Sequence, residues 1–342
     1  MRRLLTTLLL GLFLVGGGWA LVNRDKLQSS EDWLKLVGQQ VERLRDSWSA
    51  PARLASWTQP QLHASVVRIA TFNIQAFGPA KAANAEVVQY LAEICRHFDV
   101  IAIQEIRGQD QALLPQFVKK INSQGASYGF VLSPPLGRNT YREQAAFIFN
   151  QDVVHLDNAY SYTINDPDDV MIREPYVGWF RTTQAPADQA FTFSLVNLHL
   201  DSRRSTTEMG YLQELFRIVR SDGRGEDDVL LIGDFNLGER SVERAGKKTG
   251  LAPVLRGATT NTRGTKHYDN ILLDVRATSE FTGQSGVFDF LRQFNLTIEQ
   301  ALAISDHLPV WAEFSVLEGG AVRPAAATTE ERTAGQRSTG QR

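Results

Sequence analysis

Short apolar runs, each stopping at a polar residue, recur through the middle of this chain. The most informative is Val229-Leu230-Leu231-Ile232-Gly233-Asp234-Phe235-Asn236-Leu237-Gly238. Four consecutive apolar residues closed by glycine predict a strand buried on both faces. Alternate side chains of an extended chain share a side. Asp234 and Asn236 are therefore expected to project together from the rim of a dry sheet, with Phe235 turned back into the core. Such an oxygen pair suits a hard divalent cation or a phosphate under attack. An Asx turn ending a strand accounts for the same two residues.

Comparable runs predict strands over residues 66–72, 100–104, 145–149, 192–198, 270–274 and 310–314, and the spacing over 84–97 predicts a helix. Interleaved strands and helices of this kind predict an α/β (α+β) sandwich with a site on its loop edge. This domain is expected over residues 65–317.

The flanks carry other patterns. Arg2 and Arg3 precede an uncharged run over residues 4–22, with Gly18-Trp19-Ala20 as a small-x-small cleavage site. That predicts a signal anchor or signal peptide over 1–23, with the bulk of the protein exported, periplasmic or extracellular, and tied to the membrane if the segment is uncleaved. Residues 24–64 read as a helical spacer: Ser30 caps Glu31 and Asp32, apolar residues from Trp33 to Leu44 recur at helical spacing, and Pro51 ends the run. Residues 318–342 are rich in Ala, Thr, Gly, Arg and Gln without apolar periodicity, which predicts a disordered tail.

Composition narrows the partners. Hydrophobic residues at 43% and charged residues at 22% describe a folded domain. A net charge of -2 supplies no global basic field, so a nucleic-acid partner has to be met by a local patch. A lone cysteine, Cys95, excludes an intramolecular disulfide and reads as a small core residue. No obligate protein partner is evident.

The polar residues at the ends of the runs repeat one design: Asn73, Glu105, His199, Asp234, Asn236, Asp306 and His307. Glu105 closes so apolar a run that its carboxylate needs a partner, and a metal is the economical one. Thr71-Phe72-Asn73-Ile74, Ile103-Gln104-Glu105-Ile106-Arg107, Gly233-Asp234-Phe235-Asn236 and Ser305-Asp306-His307-Leu308-Pro309-Val310 together resemble, in order and spacing, the signature of the endonuclease/exonuclease/phosphatase superfamily. Thr140-Tyr141-Arg142-Glu143-Gln144, Arg173-Glu174-Pro175, and Thr260 and Thr262 before Tyr268-Asp269 resemble its deoxyribonuclease I branch. Two departures stand out: the branch's disulfides are absent, and Gly264 stands where a further threonine is expected.

The resemblance implies a four-layer α/β/β/α sandwich of two packed mixed sheets and a divalent-metal-dependent phosphodiesterase acting on DNA. It implies Mg²⁺, with Ca²⁺ or Mn²⁺ as alternatives, held by Glu105 with Asn73, Asp306 and Asp234. His199 and His307 form the acid–base pair, since imidazole exchanges protons near neutral pH. Glu143 is implied as the orienting carboxylate behind His199 and Asp269 as the one behind His307, with His307 favoured as base. Asp234 and Asn236 would face the attacking water and the phosphate. Arg173, Arg107, Tyr141, Thr260 and Thr262 would bind substrate, Arg173 as a phosphate clamp. A phosphoesterase of lipid head groups or small phosphates, and an inactive binding or scaffold module, are the rival readings.

Overall fold

The computed structural model describes residues 66–320, except residue 109 and residues 139–141. The membrane segment predicted over 4–22, the spacer over 24–64, residues 321–342 of the predicted tail and Tyr141 all lie outside the described residues; Glu318, predicted to open the disordered tail, is instead tied to the sheet edge through Gln189 and Thr192. Among those described, no helix is long and apolar enough to cross a membrane.

In chain order the strands are β1 (Val66–Phe77), β2 (Val100–Ile106), β3 (Tyr128–Leu132), β4 (Gln144–Asn150), β5 (Val154–Leu156), β6 (Tyr162–Thr163), β7 (Tyr176–Thr182), β8 (Thr192–His199), β9 (Val229–Asp234), β10 (Ala252–Pro253), β11 (Asp269–Leu273), β12 (Phe281–Val287) and β13 (Val310–Ser315). The helices are α1 (Pro79–Ala82), α2 (Ala85–Cys95), α3 (Leu113–Ile121), α4 (Ser205–Met209), α5 (Leu212–Arg220), α6 (Glu239–Thr249), α7 (Phe290–Gln293) and α8 (Ile298–Ile304). One sheet runs β12-β13-β1-β2-β4-β3 and the other β10-β11-β9-β8-β7-β5, with β6 on β7.

The period of two explains both the layers and the site. On β1, Val67 and Ile69 pack into the core between the sheets, whereas Ala70, Phe72 and Ile74 face the outer layer with α2 and α3. On β9, Leu230 and Ile232 face inward while Val229 and Leu231 pack outward with residues of α5 and α6. All four are fully buried, and each contributes roughly 1.5–3 kcal/mol of transfer free energy. The result is the four-layer α/β/β/α sandwich. Asn73, Gln104, Asn197, His199, Asp234 and Asp269 continue the inward-facing sets, so polar groups meet where the central apolar core ends.

Most predicted strands appear, extended by a residue or more at their ends. The additional strands have local causes. β12 reads Phe-Thr-Gly-Gln-Ser-Gly-Val and sits at a sheet edge, with no apolar alternation to betray it. Asn84 is not inside α2 but caps it, accepting the Glu86 and Val87 N–H groups. Cys95 is fully buried, and burial pushes its thiol up to about 12, as befits a small core residue.

Gly233 has a specific job. Its φ is +152°, and a Cβ there would come within 1.9 Å of the Leu198 carbonyl oxygen. Only glycine lets β9 approach β8 so closely, and this approach brings His199 and Asp234 into one row.

Candidate active site

Three adjacent strands place three charged residues side by side. β8 and β9 are parallel, with His199 opposite Asp234; β9 and β11 are antiparallel, with Asp269 opposite Asp234. Asp234 is therefore flanked on one side by an imidazole and on the other by a carboxylate. The segment before β13 completes the row by bringing His307 against Asp269.

The arrangement is nearly symmetric. His199 Nδ1 lies 2.5 Å from Glu143 Oε1, and His307 Nδ1 lies 2.9 Å from Asp269 Oδ2. Each Nε2 is left pointing at the same central carboxylate, 3.6 Å and 3.7 Å from Asp234 Oδ2. A carboxylate on Nδ1 fixes the tautomer and orientation, so Nε2 is the working atom of both rings.

Electrostatics follow from burial and from these partners. Burial opposes charge on His307, but Asp269 and Asp234 outweigh it and raise its pKa to about 10. His199 is raised in the same way, burial being overcome by Glu143 and then Asp234. Burial works against ionised Glu143 too, yet His199, Arg173 and Arg107 hold its carboxyl below the usual range. Asp234 is pushed up by burial and by Asp269, while His307 and His199 pull it down. The buried carboxylates thus favour the protonated form of both rings more than bulk water would, with Asp234 shared between them.

A second polar corner lies on the other sheet. Asn73 joins the two halves: its Nδ2 donates at 3.1 Å both to Glu105 Oε1 and to Asp234 Oδ2. β1 and β2 shift register together between Asn73 and Phe77, and β2 shifts against β4 between Ile103 and Ile106. Gln75, Ala76 and Glu105 there adopt left-handed φ of 43°, 50° and 64°, and Asn236 has 49°. Such conformations are costly for side-chain-bearing residues and gather at working sites. The bulge turns Glu105 toward the rim, where Oε2 accepts from Ala76 N–H at 2.9 Å and pairs with Arg107 at 2.8 Å. The charges of Asp306 and Glu105 both act on the Lys81 ammonium and oppose the burial that lowers its pKa. Hard carboxylate oxygens of this kind fit Mg²⁺, Mn²⁺ or Ca²⁺ better than a soft metal, whereas the Asn73 amide turns its nitrogen to Glu105 and its oxygen to the Gln75 N–H at 3.0 Å, so it steadies the carboxylate rather than adding an oxygen. Asp234, Asp269 and His307 also bring ligand atoms within 4.8 Å of one another.

Other predicted residues take more specific positions. Asn236 N–H donates to Asp234 Oδ1 at 2.8 Å and its side chain donates to the Leu200 carbonyl at 2.9 Å. The Asx turn and the site are thus one structure, and β9 ends at Asp234 before simple alternation reaches Asn236. Arg173, whose side chain is largely buried, is held by Glu143 Oε1 at 3.1 Å and the His199 carbonyl at 3.2 Å. That places it behind the acid–base pair. Thr260 and Thr262 differ from the expectation that they touch substrate. Thr260 is fully buried and donates to Asp269 Oδ2 at 2.7 Å, and Thr262 donates to the Ser305 carbonyl at 2.7 Å. Both hold the pieces on which His307 depends.

Several further residues support the site. Ser305 donates to the Asn73 carbonyl at 2.6 Å and accepts from His307 N–H at 3.0 Å, locking the catalytic loop to β1. Lys81 donates to the Ile74, Gln75 and Ile304 carbonyls, tying the β1 bulge to the end of α8, and burial lowers its pKa to about 8. Beneath the row, Gln104 donates to Asn197 at 2.7 Å, and Asn197 donates to the Ile103 and Ala146 carbonyls, a buried polar bridge between sheets. Lys81 and Asn197 stand in no motif, and Ser305 and Gln104, though inside two of the quoted segments, show no role of their own until the sheets dock.

With this geometry in hand, comparison with known proteins is direct. Residues 70–307 match the Endonuclease/Exonuclease/phosphatase family. Deoxyribonuclease gamma of Rattus norvegicus is 34% identical over 267 residues, covering 73% of this chain and 85% of that protein. Deoxyribonuclease-1-like 1 of Chlorocebus aethiops is 32% identical, covering 78% and 90%, and deoxyribonuclease-1-like 2 of Mus musculus is 30% identical, covering 78% and 98%. Among solved structures, a functionally unknown conserved protein from Enterococcus faecalis V583 gives a TM-score of 0.51 at 16% identity, covering 74% of this chain and 100% of that one. A humanized D. rerio TDP2 gives 0.50 at 16% identity, covering the same shares; these two bear on the fold alone. A match across most of the domain, together with a paired histidine site set on the same motifs, makes this chain a member of the endonuclease/exonuclease/phosphatase family, on its deoxyribonuclease I branch.

Proposed function

We propose that this enzyme, a hydrolase of its family, is an exported divalent-metal-dependent endonuclease that cleaves DNA phosphodiester bonds. The observation that carries the reading is Asp234 set between two imidazole Nε2 atoms, each ring backed by its own carboxylate. Hydrolysis of a phosphodiester needs one group to take a proton from water and another to give one to the leaving oxygen. Two rings with Nε2 atoms turned to one centre meet that need. Asp234 holds them at a common distance, and Asn236 N–H fixes the Asp234 carboxylate. Glu105 and Asp306 would hold the cation, with the Asn73 amide steadying Glu105, and the cation when bound would supply charge neutralisation at the phosphoryl oxygens. Arg107 at the rim is suited to a phosphate or a groove, and Arg173 steadies Glu143. Export rests on Arg2, Arg3 and the apolar run over residues 4–22.

The test is supercoiled-plasmid nicking with Mg²⁺, with and without EDTA, beside sphingomyelin and phosphoinositide turnover. Nicking abolished by EDTA is expected. Lipid turnover without nicking would replace this reading with a lipid phosphoesterase, and inertness on every phosphoester with any divalent ion would leave a binding module.

A further inference from the structure

A second group of acids sits at the far end of the sandwich. Asp228 immediately precedes β9, so it lies about 20 Å along the strand from Asp234 at ~3.3 Å per residue. Glu280 immediately precedes β12 in the opposite sheet, and Glu318 follows β13. Oxygens of these three residues from two sheets lie within 4.8 Å of one another.

Their hydrogen bonds leave a gap. Glu280 Oε1 accepts from Gly319 N–H at 2.5 Å and Glu318 Oε2 accepts from Thr192 N–H at 3.1 Å. Asp228 and Glu280 are each 1% exposed, and Asp228 Oδ1 and Glu280 Oε2 are buried with no partner. Among the described residues no lysine or arginine pairs with any of the three; the neighbouring Arg220 reaches Asp227 instead, at 3.9 Å. Burial pushes the Asp228 carboxyl up to about 8, opposed by the Thr278 hydroxyl and reinforced by Glu280, Glu226 and Glu318. Glu318 is raised for the same reasons, burial first. Buried carboxylate oxygens without donors are costly, and gathering them multiplies the cost through repulsion.

A hard cation removes both penalties at once. No histidine or cysteine belongs to the group, which argues against zinc. Mg²⁺ keeps most of its water shell and demands an octahedron, for which a cluster with Asp228 and Glu280 buried and only Glu318 exposed has little room. Ca²⁺ accepts six to eight oxygens in adaptable geometry, including mixed carboxylate and hydroxyl donors. We propose that Asp228, Glu280 and Glu318 form a calcium site that clamps the two sheets together at the end remote from the catalytic pair.

The experiment uses the full chain carrying Glu105→Gln, which weakens cation binding at the catalytic corner, and the same chain with Asp228→Asn and Glu280→Gln added. Calcium stoichiometry is read by equilibrium dialysis, and Tm by circular dichroism in CaCl₂ or EGTA. The parent is expected to bind one Ca²⁺ more per chain and to gain about 5 °C in Tm at a calcium concentration near 100 Kd. The added substitutions are expected to abolish both effects and to raise Tm in EGTA, since they relieve repulsion. Equal stoichiometry and equal calcium shifts in the two proteins would overturn the site. If the combined variant does not fold, Glu318→Gln is read alone: it should weaken the same binding at least tenfold, and unchanged affinity would overturn the proposal.

Discussion

Glu143→Gln isolates the carboxylate behind His199 with little change of shape. Glu143 accepts from His199 Nδ1 at 2.5 Å and from Arg173 Nε at 3.1 Å, and all three side chains are at most 9% exposed. The substitution leaves two buried cations facing a neutral carboxamide, which still offers one acceptor oxygen. Breaking a buried charge pair costs about 3–5 kcal/mol, and the retained acceptor places the expected loss at about 3 kcal/mol. Both partners shape the pH dependence. Glu143 is held low, so its contribution is present above its ordinary value of 4.5 and is lost as pH falls through its folded pKa. His199 is raised, so its contribution is present below 6.5 and is lost as pH climbs through its folded pKa. The gap between wild type and variant should therefore be widest between pH 4.5 and 6.5 and narrow on both sides. Urea unfolding in EDTA across pH 3.5–9 reads this out, and plasmid nicking should drop about a hundredfold or more. A stability change under about 1 kcal/mol with nicking within about threefold of wild type would refute the orienting role.

Removing either ring should have a comparable effect on turnover: His199→Ala and His307→Ala are each expected to lower nicking by at least about a hundredfold, and near-normal rates in one variant would remove that ring from the chemistry. Thr260→Val takes away the hydroxyl donated to Asp269 but leaves the volume; nicking should fall while the fold persists by circular dichroism, and an unaltered rate would show that Asp269 needs no such support. Gly233→Ala drives a Cβ into the Leu198 carbonyl, so chemical denaturation should show a loss of about 3 kcal/mol or more, or no soluble protein at all; a loss below about 1 kcal/mol would mean that β8 and β9 can separate freely.

The residues that gather at the candidate site were legible because strand ends leave a double mark: an apolar run of period two, then a polar residue that a core would not tolerate. Asp234 and His199 carry that mark alone, and the four segments around Asn73, Glu105, Asp234 and His307 carry it jointly. Glu143 does not. Its run is short, and in isolation it reads as an exposed loop acid, yet the fold buries it to 5% exposure against two cations. Thr260 and Thr262 were legible as participants but not in role, because sequence cannot tell a hydroxyl aimed at substrate from one aimed at Asp269. Lys81 and Asn197 were silent, and Ser305 was legible only as part of its segment, for another reason: their partners are carbonyls and amides of distant segments. β12 was missed because an edge strand built from glycine and polar residues has no alternation to display.

Asn73 touches Glu105 with the same amide that touches Asp234, and those two carboxylates belong to different sheets. The cation corner and the central carboxylate therefore have no shared existence before the sheets close on each other. His307 likewise enters from the first sheet's connection to find Asp269 on the second. Neither half, folded by itself, holds both imidazole–carboxylate pairs or the Asn73 bridge. Activity in such a molecule is an all-or-none report on assembly: during refolding it should emerge with the final docking event, and no partly folded species should nick DNA at a reduced rate.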